Sequence, residues 1–314
     1  MSHSFRVLRV DQLSVRFRLP DATVAAVTDV TFSLPAGECL ALVGESGCGK
    51  SVLASALLGL LPGNAEIRGG ALLDEVDLLS CGEKVLARSI RGRRVGLVPQ
   101  SPAAHLTPVR TVRAQLEETT HVLGTARPDR RAAARRYADR AHLDASHLNR
   151  YPHQLSGGLA QRAATALALA GEPWLLLADE PTTGLDRRLV DATMDELARL
   201  RDNGHGILLI THDLAAARRV ADRVAVMYAS RIVEIAPTAQ LFDSPRHPYT
   251  AALLDALPDR RFRPLPGFPP ELSRLPDGCA FAPRCSRTDP DCALLPKLAP
   301  VGDGDVACHH PLGG

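Results

Sequence analysis

The stretch Gly44-Glu45-Ser46-Gly47-Cys48-Gly49-Lys50-Ser51 decides how the chain is read. It fits G-x-x-x-x-G-K-[ST], a loop whose glycines let the backbone curl so that successive N–H groups face phosphate oxygens. Its flanks favour a site over an ordinary glycine turn. Cys39 to Val43 is a short apolar run that reads as a buried strand, and Ser51 to Leu58 reads as a helix. A phosphate at that junction meets backbone donors and the positive end of a helix dipole. Lys50 would place a point charge at the β- and γ-phosphates, and Ser51 would offer a hydroxyl to Mg²⁺. Cys48 reads as a small filler within the loop.

Working outward, other strands end in polar residues suited to the same ligand. Trp174 to Ala178 is apolar and delivers Asp179 and Glu180. Acids at the C-terminal end of a parallel strand lie at the ligand-binding edge of a sheet. Asp179 suits Mg²⁺ binding and Glu180 suits polarising an attacking water. Gly206 to Ile210 is a second buried strand, followed by His212 as a candidate γ-phosphate contact. Leu155-Ser156-Gly157-Gly158 precedes an alanine-rich helical run, so Ser156 reads as an N-cap on a second anion-binding helix start. Val95 to Gln100 is another short strand, stopped by Pro102. Ahead of the loop, Val7 to Val10, Leu13 to Arg18 and Val27 to Leu34 alternate apolar and polar positions, which predicts paired strands. Phe17 among them is either a stacking platform for adenine or a core aromatic.

The chain has 314 residues, 45% hydrophobic and 23% charged, and a net charge of +2. Those values fit a globular protein of one large domain, or one large and one small. They give no argument for nucleic acid or an anionic surface. The arginine-rich run at 130–141 has interleaved acids and no aromatic platform, so it reads as the solvated face of a helical insertion spanning 111–150. No apolar run is long enough to span a bilayer, and Met1 to Arg6 shows no apolar signal core. The expectation is a cytosolic protein, anchored by something else if it works at a membrane. Residues 242–314 are proline-rich and read as an appended unit with little regular structure. They hold four of the seven cysteines, spaced C-x5-C-x6-C-x15-C as Cys279, Cys285, Cys292 and Cys308. Four thiolates in a loop-rich unit suit Zn²⁺ or an iron–sulfur cluster, and the spacing does not choose between them. His309 and His310 are substitute ligands or exposed tail residues.

Together these motifs resemble the ATP-binding cassette (ABC) ATPases over about residues 6–240. Gly44 to Ser51 is similar to Walker A, Gln100 to the glutamine-loop residue, Leu155 to Gly158 to the signature, Leu175 to Asp179 with Glu180 to Walker B, Gly184-Leu185-Asp186 to the D-loop, and His212 to the switch histidine. Tyr151 to Gln154, Leu106-Thr107-Pro108, Ser244 to Thr250 and Phe281 to Cys285 resemble the peptide-importer branch. The resemblance implies an α/β fold, a P-loop NTPase nucleotide-binding domain with a mixed sheet core, an N-terminal antiparallel β-subdomain and a helical subdomain. Its domains would be 1–241, with the helical subdomain at about 101–165, and a loop-rich cysteine-containing extension at 242–314. It implies an ATPase subunit powering uptake of oligopeptides or dipeptides. Importers of nickel or metal chelates are an alternative, and a soluble non-transport ABC ATPase is a remoter one. Implied cofactors are ATP and Mg²⁺, with Gln100 joining Ser51 and Asp179 at the metal, and a [4Fe–4S] cluster on the four tail cysteines, with Zn²⁺ or no metal as alternatives. Implied partners are integral-membrane permease subunits, a second homologous ATPase in a heterodimer (a homodimer otherwise) and, indirectly, a solute-binding protein. No nucleic acid is implied, and the place is the cytoplasmic face of the membrane, peripherally. In the family, Ser156, Gly157 and Gly158 of one subunit close over nucleotide held by the other's Gly44 to Ser51.

Overall fold

Glycine and proline punctuation divides the apolar runs into twelve strands and eight main helices. In the computed structural model, which describes residues 7–313, the order is β1 (Val7–Arg18), β2 (Thr23–Pro35), β3 (Cys39–Val43), α1 (Lys50–Leu57), β4 (Ala65–Leu73), β5 (Val76–Asp77) and β6 (Val95–Val98). Then come α2 (Val112–Val122), α3 (Arg130–Arg140), α4 (Gly157–Leu169), β7 (Leu175–Asp179), α5 (Arg187–Asp202) and β8 (Gly206–Ile210). The chain closes with α6 (Leu214–Val220), β9 (Arg223–Tyr228), β10 (Arg231–Pro237), α7 (Thr238–Asp243), α8 (Pro248–Asp255), β11 (Ala299–Val301) and β12 (Gly304–Val306). Met1 to Arg6, where a signal segment was looked for, lie outside the described residues, as does residue 314. The described chain forms two units. One holds 35–39 and 81–209; the other holds 7–34, 40–80 and 210–313.

The second unit contains an antiparallel sheet in the order β2-β1-β4-β5. The two separate strands expected over 7–18 are one strand, β1. It pairs with β4 through Leu8↔Leu73 and Phe17↔Ala65, with a register shift between Asp11 and Ser14. The shift inserts one extra residue in β1, so the buried positions change phase from Leu8 and Val10 to Leu13 and Val15 while staying on the core face. In the same unit β3 runs parallel to β9, with Leu42 opposite Ala225. β9 pairs antiparallel with β10, and β10 with β12. This sheet is mixed, and β3, buried along its whole length, has the continuous apolar sequence of a strand covered on both faces.

The tail departs from the expectation of little regular structure. It carries α8 and the end of α7, and its hairpin β11–β12 adds to the cassette sheet at Glu234↔Val306 and Ile235↔Asp305. Short strands at a sheet edge satisfy the edge N–H and C=O groups of β10. The region between α8 and β11 is loop-rich, with single turns at Ala282–Arg284 and Pro290–Ala293.

The first unit contains β6 and β7 paired in parallel, Val95↔Leu175 to Val98↔Ala178. Its helices are α2 to α5. α4 begins at Ser156, whose Oγ accepts from Leu159 N, and α5 at Asp186, whose Oδ1 accepts from Leu189 N. These caps satisfy donors that a helix start leaves open. Arg199 and Arg201 in the last turn of α5 complement the dipole. No helix among the described residues is long and apolar enough to cross a membrane.

Candidate functional site

The loop 44–51 joins β3 to α1 as its sequence requires, and its glycines have two separate reasons. Gly49 has φ +109°, and a Cβ there would lie 1.9 Å from Ala26 O. Gly44 has φ +153°, and a Cβ would lie 2.1 Å from Met227 O. The backbones of β2 and β9 therefore pass directly against the loop. At Gly47, φ +80°, a Cβ would meet nothing within 4 Å. Here only the conformation calls for glycine, and the space beside it is open.

Lys50 is 6% exposed. Its Nζ donates to Gly44 O at 2.8 Å and Glu45 O at 3.1 Å, and lies 3.8 Å from Cys48 Sγ. All three are uncharged acceptors. A buried ammonium held by carbonyl oxygens keeps its charge uncompensated by a carboxylate in the loop, which suits an incoming polyanion. Cys48 is buried as expected of a filler, and burial pushes its thiol pKa up against the opposing pull of Lys50. Ser51, the first residue after Lys50, is exposed.

Glu45 is held at three points. Its N–H donates to Tyr249 Oη at 3.1 Å. Its carbonyl accepts from Lys50. Its carboxylate takes both arms of Arg284, Nη1 to Oε2 at 2.8 Å and Nη2 to Oε1 at 3.1 Å. Arg284 Nη1 also donates to Tyr228 Oη at 3.1 Å, and its side chain is only 4% exposed. The guanidinium lies over the rings of Tyr228 and Phe281, 5.6 and 5.9 Å from their centroids. Tyr228, Tyr249 and Phe281 pack on one another with centroids 4.5 to 5.4 Å apart. The Glu45 carboxylate raises the Arg284 pKa further, while burial raises those of Tyr249 and Tyr228. In the sequence Tyr249, Phe281 and Arg284 stand out only as marks of the peptide-importer branch, with nothing local to reveal their contact with the loop.

Of the remaining expected residues in this unit, His212 is exposed just after β8. Phe17 is half-buried and stands opposite Ala65 near the end of β1, outside the buried core. In the first unit Asp179 ends β7 and is half-buried. Glu180 follows it, 9% exposed and with φ 47°. A left-handed glutamate is uncommon and costs backbone energy, a mark of sites that must aim a side chain. Thr183 Oγ1 donates to Glu180 Oε2 at 3.5 Å. Gln100 is exposed two residues beyond β6. Gly158 packs closely on Leu189, where a Cβ would come within 2.5 Å of Leu189 Cδ2, and Gly157 borders Leu185. Ser156 and Asp186 both serve as helix caps, as described above. Ser51 carries a hydroxyl, Gln100 an amide oxygen and Asp179 a carboxylate, each a hard donor of the kind Mg²⁺ takes.

In the tail, Cys279, Cys285, Cys292 and Cys308 are free, half-buried thiols lining one small cavity with Phe281, His309 and His310. Cys279 N donates to Cys292 O at 2.9 Å, which joins two of the loops. A Cβ at Gly278 would strike Cys292 O at 2.5 Å, so that loop closes only on glycine. The four thiols share one cavity lining and are of the donor type that takes Zn²⁺ or an iron–sulfur cluster, but their sulfurs do not close into one group of ligand atoms. Asp289, Cys292 and His310 also bring one ligand atom each within 4.8 Å of one another.

Comparison with known proteins identifies the family. Residues 27–183 match the family described as ABC transporter, and residues 233–292 match the one described as Oligopeptide/dipeptide transporter, C-terminal region. The chain belongs to the ABC transporter ATP-binding family, in the branch that carries this C-terminal region. It is 40% identical over 316 residues to the Oligopeptide transport ATP-binding protein OppD of Mycobacterium tuberculosis, covering 96% of this chain and 51% of that protein. It is 38% identical over 309 residues to OppD of Haemophilus influenzae, covering 96% and 95%. It is 39% identical over 327 residues to a putative peptide import ATP-binding protein of Brucella abortus, covering 97% and 95%. The chain thus spans about half the length of the mycobacterial relatives and nearly all of the other two. A dimeric post-hydrolysis structure of the ATP-binding cassette MJ0796, bound to ADP and Pi, superposes with TM-score 0.65 at 26% identity, covering 74% of this chain and 98% of that one. The fold is accordingly the α/β P-loop cassette of ABC ATPases.

Proposed function

We propose that this protein is the ATP-binding and ATP-hydrolysing subunit of a membrane ABC importer for oligopeptides or dipeptides. The observation that carries the reading is the joint match of one chain to the cassette and to the peptide-transporter C-terminal region, on a loop whose buried Lys50 has only uncharged partners. The cassette would end at 241, with the helical subdomain at about 101–165, and the extension would run over 242–314.

Lys50 and the N–H groups of the loop bind the β- and γ-phosphates, and Phe17 flanks the adenine. Ser51, Asp179 and Gln100 would hold Mg²⁺, which when bound neutralises phosphate charge. Glu180 takes the proton of the attacking water, and His212 orients the γ-phosphate. Ser156, Gly157, Gly158 and Asp186 act on the nucleotide of a second ATPase subunit, a homologous rather than identical chain. Closure of that pair drives permease subunits in the membrane, which receive cargo from a solute-binding protein. The protein sits peripherally on the cytoplasmic face. The cysteines Cys279, Cys285, Cys292 and Cys308 would hold a [4Fe–4S] cluster. Anaerobic purification followed by iron, sulfide and zinc analysis tests that assignment, and four equivalents of zinc-free, iron-free thiol would end it.

The main test is a pull-down with Glu180→Gln, expressed in its own cell and solubilised gently. The variant should bind ATP normally while steady-state phosphate release falls at least about 100-fold, the usual worth of a positioned base. Two multispanning subunits and a second cassette should accompany it. Ribosomal or DNA-repair proteins without membrane partners would overturn the importer reading.

A further inference from the structure

We infer that the C-terminal unit is a working part of the nucleotide site, and that Arg284 is the positioning residue through which it sets the geometry of the phosphate-binding loop. The inference rests on the nucleotide-site reading of the loop and goes beyond it. One continuous chain of contacts joins Lys50 to Arg284. Lys50 Nζ is held by the carbonyl oxygens of Gly44 and Glu45. Where Nζ stands therefore depends on how the Gly44–Glu45 backbone is turned. Gly44, at φ +153°, lies against Met227 O but has no side chain of its own to fix the turn that Glu45 follows. Something outside the loop must fix it, and Glu45 supplies the handle.

Two residues of the C-terminal unit grip that handle. Tyr249 Oη accepts the Glu45 N–H, and the Arg284 guanidinium holds both carboxylate oxygens. A bidentate fork fixes direction as well as distance, which a point charge does not. The grip is itself rigid. Arg284 is stacked against Tyr228 and Phe281, tied to Tyr228 Oη, and its Nε donates to Pro266 O at 2.7 Å. Tyr228 belongs to β9, and Met227 beside it places its carbonyl against Gly44. A surface ion pair between mobile side chains contributes little. This one has an arginine side chain only 4% exposed on an aromatic bed, so it can hold geometry. Arg284 also directly precedes Cys285, and the turn Ala282–Arg284 lies between Cys279 and Cys285. The loop that carries the cysteines is thus the loop that carries the clamp.

The test is nucleotide binding by the full chain, read with fluorescent ATP and Mg²⁺, alongside phosphate release at saturating ATP. Arg284→Gln should raise the ATP Kd about tenfold, while turnover at saturation changes less than threefold. Arg284→Lys keeps the charge but loses the fork, and should recover only part of the affinity. Glu45→Gln should match Arg284→Gln, and the double variant should also lose about tenfold rather than about a hundredfold, because both singles remove the same contact. Tyr249→Phe, which removes only the acceptor for Glu45 N–H, gives a milder version if Arg284→Gln does not fold. Wild-type affinity in a folded Arg284→Gln chain, or a multiplicative double variant, overturns the inference while leaving the nucleotide site intact. A wild-type chain that binds no ATP overturns the nucleotide reading and this inference with it.

Discussion

Two alanines in one loop separate conformational strain from steric exclusion. At Gly49 the added methyl would stand 1.9 Å from Ala26 O and 3.0 Å from Met227 Cε, on a backbone at φ +109°. The conformation costs about 1–2 kcal/mol for an L-residue, and displacing packed neighbours adds about 1–3 kcal/mol. Ala26 O belongs to β2 and cannot swing aside as a side chain would. The expected loss for Gly49→Ala is therefore about 2–5 kcal/mol, a large share of the 5–15 kcal/mol that typically holds a domain together. Gly47→Ala meets no atom within 4 Å and carries only the cost of φ +80°, about 1 kcal/mol. With about 2 °C per kcal/mol for a chain of this size, Gly49→Ala should lower the melting temperature by about 4–10 °C and Gly47→Ala by about 2 °C. Thermal unfolding without nucleotide, followed by far-UV circular dichroism, reads both. Tryptophan emission would not serve, because the sole tryptophan, Trp174, lies in the other unit. Equal shifts for the two variants would refute the claim that the backbone of β2 closes the loop.

Three further expectations bear on binding, packing and pH. Lys50→Ala should weaken ATP binding at least tenfold, measured by titration with labelled nucleotide, since it removes the one buried cation of the loop; unchanged affinity would count against the phosphate assignment. Glu234, fully buried in β10, accepts from the N–H groups of Arg246 and His247 at 2.8 Å each. Glu234→Ala strands both donors and should cost about 2–4 kcal/mol in urea unfolding; a loss below about 1 kcal/mol would mean that water replaces the carboxylate. His205 is buried with Nδ1 2.7 Å from Pro173 O, and desolvation holds its pKa below the usual histidine value. The folded state then resists a proton that the unfolded chain takes up. Stability from this group is present above about pH 6.5 and lost as pH falls below it, with a slope no steeper than about 1.4 kcal/mol per pH unit. His205→Gln should flatten that part of the pH–stability curve, and an unchanged slope would remove His205 as its source.

What the sequence determined by itself is the chemistry that contiguous residues carry. The strand, the glycine loop and the helix start are all legible from neighbours, because turn conformation, N-capping and backbone donor display depend on a few residues in a row. Asp179 at a strand end and Ser156 at a helix start were legible for the same reason. Phe17 stayed ambiguous, since period two sets which face of β1 it takes but not how much covers that face; the tertiary structure leaves it half-buried. The regular elements of the tail were hidden by its prolines. β11 and β12 are three residues each, and β12 pairs with β10 while β11 pairs only with β12, so no local periodicity announces them. The clamp on the loop was beyond local reading altogether. Glu45 and Arg284 are 239 residues apart. Only the folding of the extension back onto β9 and the loop brings a guanidinium, two phenols and a carboxylate into one buried cluster, where removal from water makes their mutual contacts specific.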